Sequence, residues 1–276
     1  YALYPVFWKN PLLFFEAINY MGNYFNNVCT LTLGKCMYST NLDSTYIPIW
    51  LLVKLPFLIL FGLILLPFTE KKIFENKDNV IIFGTLLLSS FFIPLVLILK
   101  KVNLYDELRH LLFIFPMIFI LGVVSLYYFS RKIFYILSAL TISLFLIENI
   151  KIYPYQYAWF NTPSRIMNLS KNFELDYWGV SSKKIAYFFN IKNLKSNECI
   201  ISNRNRGIKD FIKNKDICFL PFQDLHNKNT RPFYVALMER GTNKGLPNNC
   251  KNIHNEKINI NFSKESLIMA RVFKCD

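Results

Sequence analysis

Apolar positions in the first 150 residues come in long unbroken runs rather than in two-fold or helical alternation. Four of these runs stand out, at 46–68, 79–99, 111–129 and 133–150. A helix crosses a hydrocarbon core of roughly 30 Å with about 20 mostly apolar residues, so each run predicts a transmembrane helix. Only Lys54 interrupts the first, and only Glu148 the fourth. Four such runs joined by short links leave no polar face for water, which disfavours buried helices of a large soluble core. Ahead of them, 10–28 follows a helical period, with Leu12, Leu13, Phe14, Ala17, Ile18, Met21 and Phe25 opposite Glu16, Asn19 and Asn23. Asn10 and Pro11 suit its cap and first turn. The segment is too short and too polar to span, so it predicts a helix lying along the interface, with Tyr4, Trp8, Tyr20 and Tyr24 at headgroup level. Packing on the tail is the other use of such a helix.

From Ile150 onward the pattern changes to Asn- and Lys-rich loops with short apolar stretches. A Ser-capped helix is expected at 181–191, another helix at 207–213, and strands at 199–202, 217–220, 233–237 and 267–273. These elements predict a small α/β domain with a mostly parallel sheet. The glycines of 241–245 form no phosphate-binding fingerprint and read as a turn. The expected organisation is an extracytoplasmic segment 1–45, a mainly α-helical multi-span membrane region 46–150, and a soluble α/β domain 151–276.

Composition sharpens this division. Hydrophobic types make up 53% of the 276 residues and only 18% are charged, too apolar for an ordinary soluble protein, yet the net charge is +14. The charge is segregated: 1–150 carries 11 basic and 8 acidic side chains, whereas 151–276 carries 21 and 10. The first residue is Tyr1 and no signal peptide opens the chain, so the sequence reads as the C-terminal part of a longer protein.

Lys71, Lys72 and Lys77 in one link and Arg131 and Lys132 in another outweigh Lys100, Lys101 and Arg109 slightly. By the positive-inside rule, 1–45, 100–110 and the tail lie outside the cytoplasm. All six cysteines (Cys29, Cys36, Cys199, Cys218, Cys250 and Cys275) fall in those segments, where disulfides are permitted. Cys29 with Cys36 is the most local pairing. The four tail cysteines allow three connectivities, and free thiols remain an equal alternative.

Ionisable groups at membrane depth are costly and mark candidate sites. Lys54 lies about two turns into the first run. Its side chain is expected to snorkel to the outer surface, either alone or to hold a phosphate as a point charge. Asp106, Glu107, Arg109 and His110 precede the third run. They can orient a hydroxyl and bind a phosphate through the guanidinium, or they can be a helix start with favourably placed acids followed by a basic anchor. The tail's Arg204, Arg206, Lys209, Lys213 and Lys215 read as a solvated face or a contact for anionic headgroups or glycans, not for nucleic acid.

Tyr46 to Pro56, with Lys54-Leu55-Pro56, resembles the tyrosine-rich entry and Lys-x-Pro of bacterial GT-C membrane glycosyltransferases related to protein O-mannosyltransferases (glycosyltransferase family 39-like). Asp106-Glu107-Leu108-Arg109-His110 resembles that family's Asp-x-x-Arg-His loop. Tyr153-Pro154-Tyr155-Gln156-Tyr157 with Phe160-Asn161, then Phe173-Glu174-Leu175-Asp176-Tyr177-Trp178-Gly179, is similar to the segment after its last span. The resemblance covers roughly 1–190. It implies sugar transfer from a polyprenyl-phosphate donor to a lipid, glycan or protein acceptor on the non-cytoplasmic face of a bacterial inner membrane. Lys54, Arg109 and His110 are then donor-phosphate candidates, and Tyr46, Asp106 and Glu107 line the substrate. The departing phosphate would be stabilised by cations or by a divalent metal. The family's catalytic acid belongs to a first outer loop upstream of this sequence, and neither Asp43 nor Asp106 is assigned that role. A transporter or flippase using Lys54 and Glu148, and a non-catalytic anchored binding protein, are the other classes considered.

Overall fold

The computed structural model describes residues 5–23, 27–195, 198–226, 233–239, 246 and 249–275. Two short helices, α1 (Val6–Lys9) and α2 (Leu13–Asn23), come first. The Asn10 side chain accepts the N–H of Leu12 at 3.1 Å, and Trp8, Leu12, Phe15 and Tyr20 face outward. Such an exposed apolar surface suits an interfacial helix. The expected belt residues Tyr4 and Tyr24, the side chains at 18, 19, 21–23 and 25, and the loop 241–245 lie outside the described residues.

A hairpin of β1 (Cys29–Thr32) and β2 (Lys35–Tyr38) follows, closed by a Cys29–Cys36 disulfide. Its turn uses Leu33 and Gly34, both at positive φ. The sequence reading has no counterpart for it, because four-residue strands carry too little alternation to register.

The first expected span is corrected by the structure. It breaks into α3 (Tyr46–Lys54) and α4 (Phe57–Ile73), bent by 115°. Pro56 lacks an N–H and pushes Leu55 to extended backbone (φ −71°, ψ 135°), so the helix ends where Lys-Leu-Pro begins. Pro67 and Pro94 lie inside their helices without ending them. α5 (Lys77–Leu99), α6 (Phe115–Phe129, entered through a 3₁₀ turn at Arg109–Ile114) and α7 (Arg131–Lys151) match the other three runs. Asn76 and Ser130 cap α5 and α7 through their side chains. Among the described residues, three helices are thus long and apolar enough to cross a membrane, which marks the chain as membrane-associated, and a fourth is added if the bent pair counts as one span. α5 and α7 leave most of their apolar surface uncovered. α4 and α6 touch backbone to backbone, since a Cβ on Gly62 would stand 2.0 Å from the Gly122 carbonyl oxygen.

The tail holds α8 (Leu169–Asn172), α9 (Ser182–Lys192), β3 (Cys199–Ser202), α10 (Asn205–Phe211), β4 (Cys218–Leu220), β5 (Phe233–Met238), β6 (Cys250–Ile258) and β7 (Leu267–Cys275). The sheet order is β4-β3-β5-β7-β6. It is mixed rather than mostly parallel: β3 pairs parallel with β4 and β5, while β7 pairs antiparallel with β5 and β6. The unforeseen strand β6 is a polar edge, so its sequence shows no apolar run. Disulfides join Cys199 to Cys218 and Cys250 to Cys275 across neighbouring strands. One apolar core runs from Trp50, Ile59 and Ile114 through Phe160 and Phe173 to Met269. Residues on both sides of position 151 therefore share a core.

Candidate functional site

The loop before α6 is built on two consecutive non-glycine residues in left-handed backbone, Asp106 (φ 55°) and Glu107 (φ 63°). Each such residue costs on the order of 1–3 kcal/mol and persists only where its surroundings hold it. The hairpin does part of this, as Thr30 Oγ1 accepts the Asp106 N–H at 3.2 Å. α3 does the rest, as the buried Tyr46 donates its hydroxyl to the Glu107 carbonyl at 3.0 Å. Thr32 Oγ1 in turn accepts the indole N–H of Trp50 at 3.0 Å, locking hairpin and α3 together. Tyr46 also lines a cleft with Leu42, Ile47, Leu97, Ile98 and Lys101.

Lys54 does not snorkel to the surface. At the end of α3 its ammonium turns into the protein, 2.8 Å from Glu107 Oε2, and donates to the Tyr157 carbonyl at 2.9 Å. The Phe160 ring centroid lies 4.1 Å away. The break at Pro56 bears on this, because α3 ends at Lys54 and the chain turns by 115° into α4 instead of continuing as one straight span. Burial pushes the Glu107 carboxyl up to about 7 against the opposing pull of Lys54. Its second oxygen, Oε1, is buried and has no hydrogen-bond partner among the described residues.

Arg109 stands at the rim. Nη1 meets Asp106 Oδ2 at 3.0 Å, and Nε donates to His110 Nε2 at 3.3 Å. The guanidinium lies over the rings of Tyr105 and Trp178, at 4.4 and 5.5 Å from their centroids. Its side chain keeps 25% of its exposure, and among the described residues no partner occupies Nη2. His110 is exposed and packs edge-on against Tyr105. The fold thus gathers all six sequence candidates: Tyr46, Lys54, Asp106, Glu107, Arg109 and His110.

Sequence reasoning missed the groups that complete the cluster. Glu174 is wholly buried and acts electrostatically on Lys54 and Tyr46. Its N–H reaches the Leu31 carbonyl on the hairpin. Trp178 covers Arg109 from the tail. Both lie in the stretch 173–179 singled out by the family resemblance, which was the available signal. Three buried acids (Asp106, Glu107 and Glu174) lie near two cations, Lys54 and Arg109.

Other singled-out acids do structural work. Asp43 Oδ1 accepts the N–H and hydroxyl of Thr45 at 2.9 and 2.8 Å, a turn ahead of α3, and the Thr45 N–H holds its carboxyl below the usual range. Asp176 receives the N–H groups of Val180 and Ser181 ahead of α9, and the hydroxyls of Ser181 and Tyr157. Burial, then the charge of Asp176, pushes the Tyr157 hydroxyl well above its ordinary value, which keeps it a donor. Glu148 is paired with Arg165 and accepts the Trp159 indole N–H at 2.8 Å. Of the basic stretch in the tail, Arg204 donates to the Tyr177 carbonyl and Lys215 to that of Lys209. Among the described residues no group of three or more His, Cys, Asp or Glu is gathered so as to hold a metal ion.

The arrangement places a partly exposed guanidinium beside an imidazole and next to buried acids, in the loop that leads into α6. Comparison with protein-family models, with curated proteins and with solved structures finds no match to this chain.

Proposed function

We propose that this chain is part of a membrane glycosyltransferase that moves a sugar from a polyprenyl-phosphate donor to a lipid, glycan or protein acceptor on the non-cytoplasmic face. One observation carries the reading: the Arg109 guanidinium, paired with Asp106 and lying over the rings of Tyr105 and Trp178, has no partner at Nη2 among the described residues, at the edge of a membrane helix. A guanidinium held this way presents donors to a phosphate without losing side-chain freedom on binding. His110 lies beside it. Lys54 acts from beneath, neutralising Glu107 and holding the loop, rather than touching the phosphate. The pairing of all six cysteines supports an oxidising compartment for the hairpin and the tail. The tight pairing of Glu148 weakens the transport alternative, which needs that carboxylate along a path.

The test is sugar transfer from a radiolabelled polyprenyl-phosphate donor by the full-length protein. Arg109→Ala is expected to lower kcat/KM by roughly 100-fold or more, and Arg109→Lys to recover only part, since a point charge replaces a fork. Wild-type turnover in Arg109→Ala would remove the guanidinium from the site. Binding of the donor without turnover by the wild type would instead support a non-catalytic binding protein.

A further inference from the structure

The end of α7 is tied to two separate loops of the tail by charged groups. Arg165 is fully buried and grips Glu148, with Nη2 at 2.8 Å from Oε2. Its Nη1 also donates to the Asn261 carbonyl at 2.7 Å, and Lys151 Nζ donates to the Asn261 side chain at 3.1 Å. Glu148 lies one turn before the end of α7. At 1.5 Å per residue that is about 4.5 Å along the axis, so the loops at 160–166 and 260–264 sit level with the last turn of the helix. The 21 residues of α7 span about 31 Å, close to the thickness of a hydrocarbon core. With α7 across a bilayer, that level is the boundary between hydrocarbon and headgroups.

Four large apolar side chains are exposed there: Ile150, Tyr153, Ile166 and Phe262, each more than two-thirds accessible. Phe262 is the one least suited to water. It adopts left-handed backbone (φ 58°) within a turn closed by Ser263, whose N–H reaches the Ile260 carbonyl at 3.2 Å and whose hydroxyl reaches the Glu265 carbonyl at 2.7 Å. A bulky residue at positive φ is disfavoured, yet the turn presents its ring outward. Lys151 and Lys264 are exposed around the same level, the usual company of an interfacial apolar face.

We infer that Ile166 and Phe262 insert into the leaflet at the C-terminal end of α7. The tail is then seated on the bilayer by a second, non-helical anchor whose buried pin is the Arg165–Glu148 pair. The occupant of this surface is lipid and not another protein, because the patch sits level with the last turn of α7, where the helix's own Leu146, Ile147 and Ile150 are exposed. Segments level with the last turn of a spanning helix meet whatever surrounds that turn. The inference depends on α7 crossing a membrane and is independent of any enzymatic activity.

The experiment uses the full chain in phosphatidylcholine–phosphatidylglycerol vesicles. Phe262→Cys and Ile166→Cys are labelled singly with an environment-sensitive fluorophore, and Lys209→Cys on α10 serves as the water-exposed reference. The native cysteines are all paired in disulfides, so labelling is directed to the new thiol. Labels at 262 and 166 are expected to be quenched several-fold more than the reference by a lipid nitroxide near the top of the acyl chain, and several-fold less by iodide. Iodide quenching equal to that at 209 overturns the inference. So does protection from iodide without nitroxide quenching, which would place a protein on the patch. Either position alone decides the matter if the other variant fails to fold.

Discussion

Arg165 with Glu148 and Arg109 with Asp106 are both guanidinium–carboxylate pairs beside an apolar helix, but their surroundings differ. Arg165 is fully buried, and its donors reach Glu148, the Phe160 carbonyl and the Asn261 carbonyl. Glu148 receives Trp159 in addition. Arg109 is partly exposed, and among the described residues its Nη2 and one buried oxygen of the neighbouring Glu107 have no partner. The first pair closes a joint between helix and tail. The second is carried on strained backbone and keeps part of its guanidinium exposed. Burial of a charge alone does not separate these roles; what separates them is whether every donor and acceptor is satisfied.

The sharpest way to break the comparison is to remove the closed pair. Arg165→Met leaves Glu148 buried without its counter-charge and is expected to cost about 3–5 kcal/mol, read as a lowered unfolding temperature in detergent. The double change Arg165→Met with Glu148→Leu is expected to recover much of the loss, and no recovery would mean that packing of the arginine, rather than charge pairing, holds the joint.

Next in size is a pH effect from Glu107. Its carboxyl is raised from 4.5 to about 7, chiefly by burial. The folded state therefore binds more protons than the unfolded state between these values, so stability falls as pH rises through that window and then levels off. The drop is at most about 3 kcal/mol, and Glu107→Gln is expected to remove it. Parallel pH profiles of wild type and Glu107→Gln would assign the slope to other groups.

Lys54→Met is expected to cost about 2 kcal/mol near neutral pH, less than Arg165→Met because Glu107 can take up a proton where Glu148 lies in a tight bidentate pair. The cost should grow with pH. Equal losses at about pH 6 and about pH 8 would show that Glu107 does not respond to its partner. Arg109→Ala comes last on this scale, at under about 1 kcal/mol for a partly exposed pair. If Arg109→Ala destabilised as much as Arg165→Met, the distinction between joint and site would fail.

Much of the helical region was legible in the sequence. α5, α6 and α7 coincide with three of the four apolar runs to within a few residues, because membrane-length hydropathy is a local property of the chain. The site's members were also legible, since ionisable residues in apolar surroundings are conspicuous. Their geometry was not. Lys54 was expected at the surface because a straight helix was assumed; Pro56 was present in the sequence, but Pro67 and Pro94 show that proline alone does not decide whether a membrane helix ends. Glu174 and Trp178 sit in a loop whose approach to Arg109 depends on the shared core, which no local pattern encodes. The polar edge strand β6 gains its place from pairing with β7, not from its own composition.

The amino-acid sequence by itself determined where apolar length suffices to cross a membrane, where the charge concentrates, and which titratable residues stand out. Only the tertiary structure decided that Lys54 pairs with Glu107, that Arg109 lies partly exposed over the Trp178 ring, that Glu148 is sealed by Arg165, and which cysteines join. The physical reason is range. Hydropathy acts through the solvent around each segment, whereas a salt bridge or a hydrogen bond needs two groups placed within about 3 Å, and that placement belongs to the packed chain as a whole.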